Sequence, residues 1–421
     1  MEQKRNVLIV IADALRAANS QLGESGPTMF SIMADYFEGG YEASEKGQFV
    51  AWTNYGMPSE LYWAMDIYPL VMDLIAGYPT GWAPPLAMHY IDLAHEHVPH
   101  FICGQNKSLL GLVLSGDVAL PDIMVIPSNP CDSNLSIYPA IAGYADFPCY
   151  VIFTPYFYLN ERSIEYITNE WRKLVSILEE KTGRKLDLDR LRQVIRYSNV
   201  AHEHMNKLAK LKEGIPCPYP SLDTMMEMTP PMGLAGTPQL ADYFKMKYEI
   251  TKSKVDSKEA LTNVEEKIRL IWSYGSVAFD PTFMPWLEQE YGAVTVCMLN
   301  TNWIVQPMPI EDTSSLDHIL RGLAKNMVVR PMTRECHGPW ENWAEATLDM
   351  GRRYKADAVI FGGHVACKAS WAAAKLMKDR VREELGIPTL NVELDMFDAR
   401  VVSGDQVRAR FADFFESLEP A

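Results

Sequence analysis

Three of the seven cysteines in this chain sit in contexts that chemistry can use. Cys103 in HFICGQNKSLLG, Cys131 in VIPSNPCDSNLSIYPAI and Cys367 in VIFGGHVACKASWAAAKLM each follow a β-like run and a tight turn. Each also stands where a helix should begin. The carboxyl end of a parallel strand is where open α/β sheets hold ligands, and a helix amino terminus favours negative charge such as a thiolate. Pro130 before Cys131, with Asp132 and Ser133 after it, suits a helix start. Three thiolates converging from two domains would hold an iron-sulfur cubane with one iron not bound by these sulfurs. Ordinary buried cysteine is the competing reading, because separations of 28 and 236 residues make no local motif.

The other candidates are weaker. Cys149 and Cys297 lie inside apolar strand patterns and read as core, and Cys217 sits in a Pro-rich loop. Cys336, beside His337 in TRECHGPW, is a conceivable extra ligand set against a plain loop residue. His89, His95, His97 and His100 cluster, as do His202 and His204, but no carboxylate stands at a zincin spacing and a polar helix end accounts for the first group. His364, three residues before Cys367, is placed to hydrogen-bond a sulfur or a substrate oxygen, or to serve structure alone. Thr53, Asn54 and Tyr55 fall at a sheet edge, followed by Glu60, Asp66 and Asp73 on a helix. The edge location keeps Tyr55 and Asp73 as candidates. Past the last strand come Asp395, Asp398 and Arg400, an arrangement that most often locks a turn.

The elements that must position these residues follow from apolar periodicity. Strand candidates are 49–54, 100–103, 123–128 and 149–154, then 268–273, 293–299, 358–361 and 389–394. Helical spacing fills the gaps, at 58–75 and 85–97 in the first part and at 281–291, 314–325, 340–354 and 370–385 in the second. Gly386 is placed as the cap of the last of these, with Pro388 beyond it. The stretch 161–265 is amphipathic and helical, interrupted by a Pro- and Gly-rich loop before a further helix at 238–248. The expected fold is α/β, with two doubly wound parallel-sheet domains and a helical insertion between them. The expected boundaries are a helical segment over 1–44, α/β domains over 45–160 and 266–421, and the helical region over 161–265. The two α/β parts are candidates for distant copies of one design.

Composition narrows the function. The 421 residues are 48% hydrophobic, enough for a large core, and 39 Lys plus Arg against 54 Asp plus Glu leave a formal charge of −15. With no basic field to attract phosphate backbones, nucleic acid is an unexpected partner. The run 7–12 is too short for a membrane span and a poor signal peptide. An odd cysteine count without a secretion signal points to a reducing cytoplasm. There is no Gly-x-x-x-x-Gly-Lys-Ser/Thr loop, no Gly-x-Gly-x-x-Gly after a strand, no Gly-x-Ser-x-Gly and no Cys-x-x-Cys. Nucleotide-dependent hydride or phosphoryl transfer within this chain therefore loses support.

After about residue 45 the sequence resembles the 2-hydroxyacyl-CoA dehydratase and benzoyl-CoA reductase family. The motifs that carry the likeness are WTNYGMPSEL, LLGLVLSGDVALPDIMVIPSNPCDS, WRKLVSILEEKTGRKLDLDRL, ADAVIFGGHVACKASW and GIPTLNVELDMFDAR. The resemblance puts Cys103, Cys131 and Cys367 where the family binds a 4Fe-4S cluster. It puts Tyr55 near a position where a related dehydratase has a small hydroxyl residue, and Asp73 near an acidic position close to the substrate. With His364, these are the candidate catalytic residues. The resemblance also implies an acyl-CoA thioester substrate, a homologous second subunit, and a separate ATP-hydrolysing iron-sulfur activator that delivers one electron at low potential. In the dehydratase branch that electron converts the thioester carbonyl of an (R)-2-hydroxyacyl-CoA to a ketyl radical, and hydroxide leaves to give the 2-enoyl-CoA. In the reductase branch, similar parts pass electrons to an aromatic ring. A subunit that only relays electrons or scaffolds its partner is the third reading.

Overall fold

The apolar runs of the first part pair side by side as strands β1 (Val50–Thr53), β2 (Tyr68–Val71), β3 (Ile123–Pro127) and β4 (Cys149–Ile152). They form one parallel sheet in the order β2-β1-β3-β4. The second part repeats the plan with β5 (Ile268–Tyr274), β6 (Ala293–Met298), β7 (Ala358–His364) and β8 (Thr389–Leu394), all parallel, in the order β6-β5-β7-β8. Both sheets thus share one topology, as expected of two doubly wound halves. The computed structural model describes residues 6–22, 27–156, 160–257, 264–302, 309–336 and 338–418.

Two expectations fail in the first sheet. Residues 100–103 are not a strand but a turn after the helix Pro84–His95. Pro99 and Gly104 bracket the run, and Phe101 is 68% exposed rather than packed on a sheet. The missing strand lies inside the supposed helix 58–75, which divides into the helix Glu60–Ala64, β2, and the start of the helix Met72–Trp82. Every residue of β2 is buried, so its apolar positions carry no alternation that would separate strand from helix. Asp66, at φ +58°, makes the break between helix and strand. Asp73 consequently stands on the helix after β2, not on the one after β1.

The helix Met29–Glu45 packs on β2, and the helix Val7–Leu22 packs on that helix and on Met72–Trp82. The Tyr36 hydroxyl donates to the Pro69 carbonyl (2.8 Å) and accepts from the Val71 N–H (2.9 Å), which satisfies groups that a sheet edge leaves unpaired. The middle region supplies long helices Glu161–Thr182, Leu188–Leu211 and Pro238–Ser257. Trp171, Leu174, Leu178 and Ile195 share one core cluster with Leu320, Leu323 and Met327 of the second half. Asn199 exchanges two hydrogen bonds with the Ile310 backbone at 2.9 Å, so the helical region ties the two sheets together. Within the second sheet, Gly275 has φ +54°, and a Cβ there would meet the Gly362 carbonyl oxygen at 2.0 Å. Only glycine serves at that turn.

Candidate active site

Each of the three expected cysteines occupies the cap position of a helix. Cys103 precedes the helix Gly104–Ser115, Cys131 precedes Asp132–Ala145 shortly after β3, and Cys367 precedes Lys368–Leu385 shortly after β7. The Asn134 N–H donates to the Cys131 sulfur at 3.4 Å, a cap bond normally accepted by oxygen. The carboxyl ends of β1 and β5 add Tyr55 and Tyr274, which both run into a glycine.

These side chains share one neighbourhood. Burial raises the Tyr55 hydroxyl well above the ordinary phenol range, and the charges of Cys131, Cys336, Asp73 and Cys367 raise it further. The Tyr55 hydroxyl is itself buried and has no hydrogen-bond partner. Burial raises the Tyr274 hydroxyl well above the ordinary phenol range, and neighbouring Cys367 and Cys336 raise it further. Cys103 is buried, whereas Cys131, Cys336 and Cys367 are half-buried.

His364 crosses from the second sheet to the first. Its Nε2 lies 3.1 Å from the Cys103 sulfur, and its Nδ1 accepts the Met396 N–H at 3.2 Å. The occupied Nδ1 assigns the proton to Nε2, which donates to sulfur. Burial holds the imidazole below its ordinary range, in keeping with a neutral ring. Asp395, past β8, accepts the Gly104 N–H at 3.1 Å and the Phe397 N–H at 2.9 Å. It therefore pins the start of the Cys103-capped helix to the second domain.

Asp73 works on the other side. Its Oδ2 accepts the Tyr55 N–H (2.9 Å), and its Oδ1 accepts Asn134 Nδ2 (3.1 Å) and the Tyr138 hydroxyl (3.2 Å). Asn134 Oδ1 accepts from Asn106 Nδ2 at 2.8 Å, and Gln105 Nε2 donates to the Asp73 carbonyl at 2.6 Å. One aspartate thus joins the first turns of two cysteine-capped helices to the backbone of Tyr55.

Burial decides the protonation of the isolated thiols. Cys131 is pushed up to about 12 by burial, against the opposing pull of the Asn134 N–H. Cys103 is raised by burial and then by the charges of Asp395 and Cys131, with the Gln105 and Asn106 N–H groups opposing. At these two groups burial outweighs the helix termini, and a bound cationic centre would favour their thiolate forms. Soft, deeply set sulfur donors with an N–H and an O–H aimed among them suit an iron-sulfur cluster. Among the described residues, no three His, Cys, Asp or Glu side chains are drawn close enough to hold a single metal ion.

The family described as 2-hydroxyglutaryl-CoA dehydratase, D-component, matches residues 54–418, a span that includes every cysteine and all strands of both sheets except β1. The chain belongs to that family. The α subunit of (R)-phenyllactyl-CoA dehydratase from Clostridium sporogenes is 23% identical over 90% of this chain and 91% of its own length. The α subunit of lactoyl-CoA dehydratase from Anaerotignum propionicum is 22% identical over 91% and 95%. A benzoyl-CoA reductase subunit from Thauera aromatica is 20% identical over 76% and 77%.

In this 2-hydroxyglutaryl-CoA dehydratase family member, the remaining sequence candidates disperse. Glu60 accepts from the Ser198 hydroxyl at 2.8 Å, Asp66 pairs with Arg184 at 2.8 Å, and Asp398 chelates Arg400 through both carboxylate oxygens. Cys149 and Cys297 lie in β4 and β6, and the Cys217 sulfur faces the Tyr219 carbonyl. His95 and His100 meet edge to face beside Lys107, His202 is buried on its helix, and His204 is half-buried. His337 lies outside the described residues. Sequence reasoning missed Asn106, Asn134, Tyr138 and Tyr274. The first two had a signal: Cys103-Gly-Gln-Asn106 and Cys131-Asp-Ser-Asn134 share Cys-x-x-Asn. Tyr274 had one as well, since Trp272-Ser-Tyr274-Gly275 echoes Trp52-Thr-Asn-Tyr55-Gly56.

Proposed function

We propose that this chain is the cluster-bearing subunit of a radical (R)-2-hydroxyacyl-CoA dehydratase, with Cys103, Cys131 and Cys367 holding a 4Fe-4S cluster. The observation that carries this reading is the buried, unpartnered Tyr55 hydroxyl among thiols drawn from both domains. When bound, such a cluster supplies one-electron chemistry and a Lewis-acidic iron. The chain's own residues do the rest. His364 Nε2–H stabilises negative charge on the Cys103 sulfur. Tyr55, kept protonated by its raised pKa, donates its free O–H to an oxygen of the substrate. Asp73 holds the Tyr55 backbone and two helix termini in place, so it is a positioning residue rather than a proton donor. The burial of Tyr55, Cys103 and His364 limits the access of water to a reactive intermediate.

The substrate class is a 2-hydroxyacyl-CoA thioester and the product its 2-enoyl-CoA, in line with the dehydratase subunits among the relatives. A homologous second subunit completes the enzyme in the cytoplasm. The electron comes from a separate ATP-hydrolysing iron-sulfur activator, consistent with the lack of a nucleotide loop in this chain. A second reading, a benzoyl-CoA-type reductase subunit, is favoured by the match to the Thauera aromatica protein. Supplying the activated two-subunit complex with each thioester separates the two. An enoyl-CoA product supports the dehydratase, a cyclic diene supports the reductase, and unchanged turnover after both Tyr55→Phe and His364→Ala would point to a scaffold or relay role.

A further inference from the structure

The two sheets share one strand order, and this makes positions in the two halves comparable. β3 and β7 are the third strand of their sheets in chain order, and the helix after each is capped by a cysteine, Cys131 and Cys367 respectively. β1 and β5 are the first strands, and each leads into a Tyr-Gly pair, Tyr55-Gly56 and Tyr274-Gly275. Cys103 lies in the connection from the second strand to the third, just ahead of the helix Gly104–Ser115 that leads into β3. The matching place in the second half is just ahead of the helix Trp340–Arg353 that leads into β7, and there stands Cys336. Cys103 precedes Cys131 by 28 residues, and Cys336 precedes Cys367 by 31.

We infer that Cys336 is the counterpart of Cys103 and supplies a fourth thiolate to the centre held by Cys103, Cys131 and Cys367. The inference rests on the cluster reading above and concerns how that cluster is closed. Geometry brings the Cys336 segment to the site. Arg330 Nη1 donates to the carbonyls of Tyr55 (2.9 Å) and Met57 (3.3 Å), which fastens the start of the segment to the loop that carries Tyr55. The chain then turns at Met332, at φ +69°, with its N–H on Glu335 Oε2 at 2.6 Å and its carbonyl accepting the Cys336 N–H at 3.0 Å. Cys336 and Cys367 both lie within electrostatic range of the buried Tyr55 and Tyr274 hydroxyls.

The halves differ in one respect. Cys336 ends the one-turn helix Thr333–Cys336 instead of capping a long one. It is half-buried on a short element, whereas Cys103 is buried and braced by His364. Of the four cysteines, Cys336 is the one on the shortest element.

The test uses the anaerobically purified chain with its partner subunit. Limited ferricyanide treatment should leave four irons in the wild type, while Cys336→Ser and Cys336→Ala lose one iron and show the electron paramagnetic resonance signal of a three-iron cluster. Because a variant can misfold, the wild type is also alkylated with iodoacetamide and mapped by mass spectrometry. Cys336 should be protected at least tenfold in the iron-loaded protein and modified once iron is chelated, with Cys149 modified in both. Equal iron loss in wild type and variants, or Cys336 modified equally with and without iron, would overturn the assignment. In that case Cys131→Ser, which must lose the whole cluster, shows whether the three-cysteine reading survives. A wild type that takes up no iron sinks both.

Discussion

Replacing Asp73 with alanine probes how the site is held together. The carboxylate accepts from Tyr55 N–H, Asn134 Nδ2 and the Tyr138 hydroxyl at 2.9, 3.1 and 3.2 Å, and all three donors are buried. Leaving a buried donor unpaired costs about 1–3 kcal/mol, so the gross loss is about 3–9 kcal/mol. Against this, burial lifts the Asp73 carboxyl from 3.8 to about 6, opposed by its three donors. Carrying that charge at pH 7 costs the folded state about 3 kcal/mol, which the substitution recovers. The net expectation is a destabilisation on the order of 3 kcal/mol at pH 7. The sign with pH is also fixed. A carboxyl whose folded pKa is raised contributes most below its unfolded value, and that contribution fades as pH rises through 6. The gap between wild type and Asp73→Ala should therefore widen as pH is lowered from 7 towards 4. Urea denaturation followed by tryptophan fluorescence measures it. A cycle with Asn134→Ala should show coupling of at least about 0.5 kcal/mol, because the two residues touch. A gap that narrows at low pH, or no coupling between Asp73→Ala and Asn134→Ala, would refute the clamp.

Other consequences follow from named contacts. A Cβ at Gly111 would meet the Tyr90 carbonyl oxygen at 1.8 Å, so Gly111→Ala should force apart the helices that flank Cys103, lowering both the thermal midpoint and iron content. Lys212 and Glu227 form a fully buried pair at 2.7 Å. Lys212→Met or Glu227→Gln alone should cost about 3–5 kcal/mol in denaturation, and combining Lys212→Met with Glu227→Leu should restore much of it. Burial, with help from Arg330, holds His202 down at about 3. The unfolded imidazole takes up a proton below about 6.5 and the folded one does not, so stability should fall by about 1.4 kcal/mol per pH unit from this residue as pH drops. His202→Gln should flatten the slope, and an unchanged slope would contradict the buried neutral assignment.

Much of the fold was legible because seven of the eight strands are apolar runs bounded by turns, and the helices between them keep their period. β2 was hidden because it is buried on both faces and lies between helices in the chain. The helix-cap positions of Cys131 and Cys367 could be read from strand, turn and helix in succession, and that of Cys103 was expected despite a strand that does not exist. What stayed illegible depends on distant contacts. Asp73 reads as one acid among several until the fold brings Asn134 and Tyr138 to it from 61 and 65 residues away. Cys336 lies in a context with no visible strand before it, and only the shared strand order reveals its counterpart.

The central claim is that Cys103, Cys131 and Cys367 hold an iron-sulfur cluster, and iron and acid-labile sulfide per chain after anaerobic purification test it most directly. The account predicts a brown protein with about four irons and four sulfides per chain, as a cubane requires. That content should be lost in Cys103→Ser, Cys131→Ser and Cys367→Ser and kept in Cys149→Ser and Cys297→Ser. A colourless, iron-free wild type, or full iron in the Cys131→Ser protein, would contradict it.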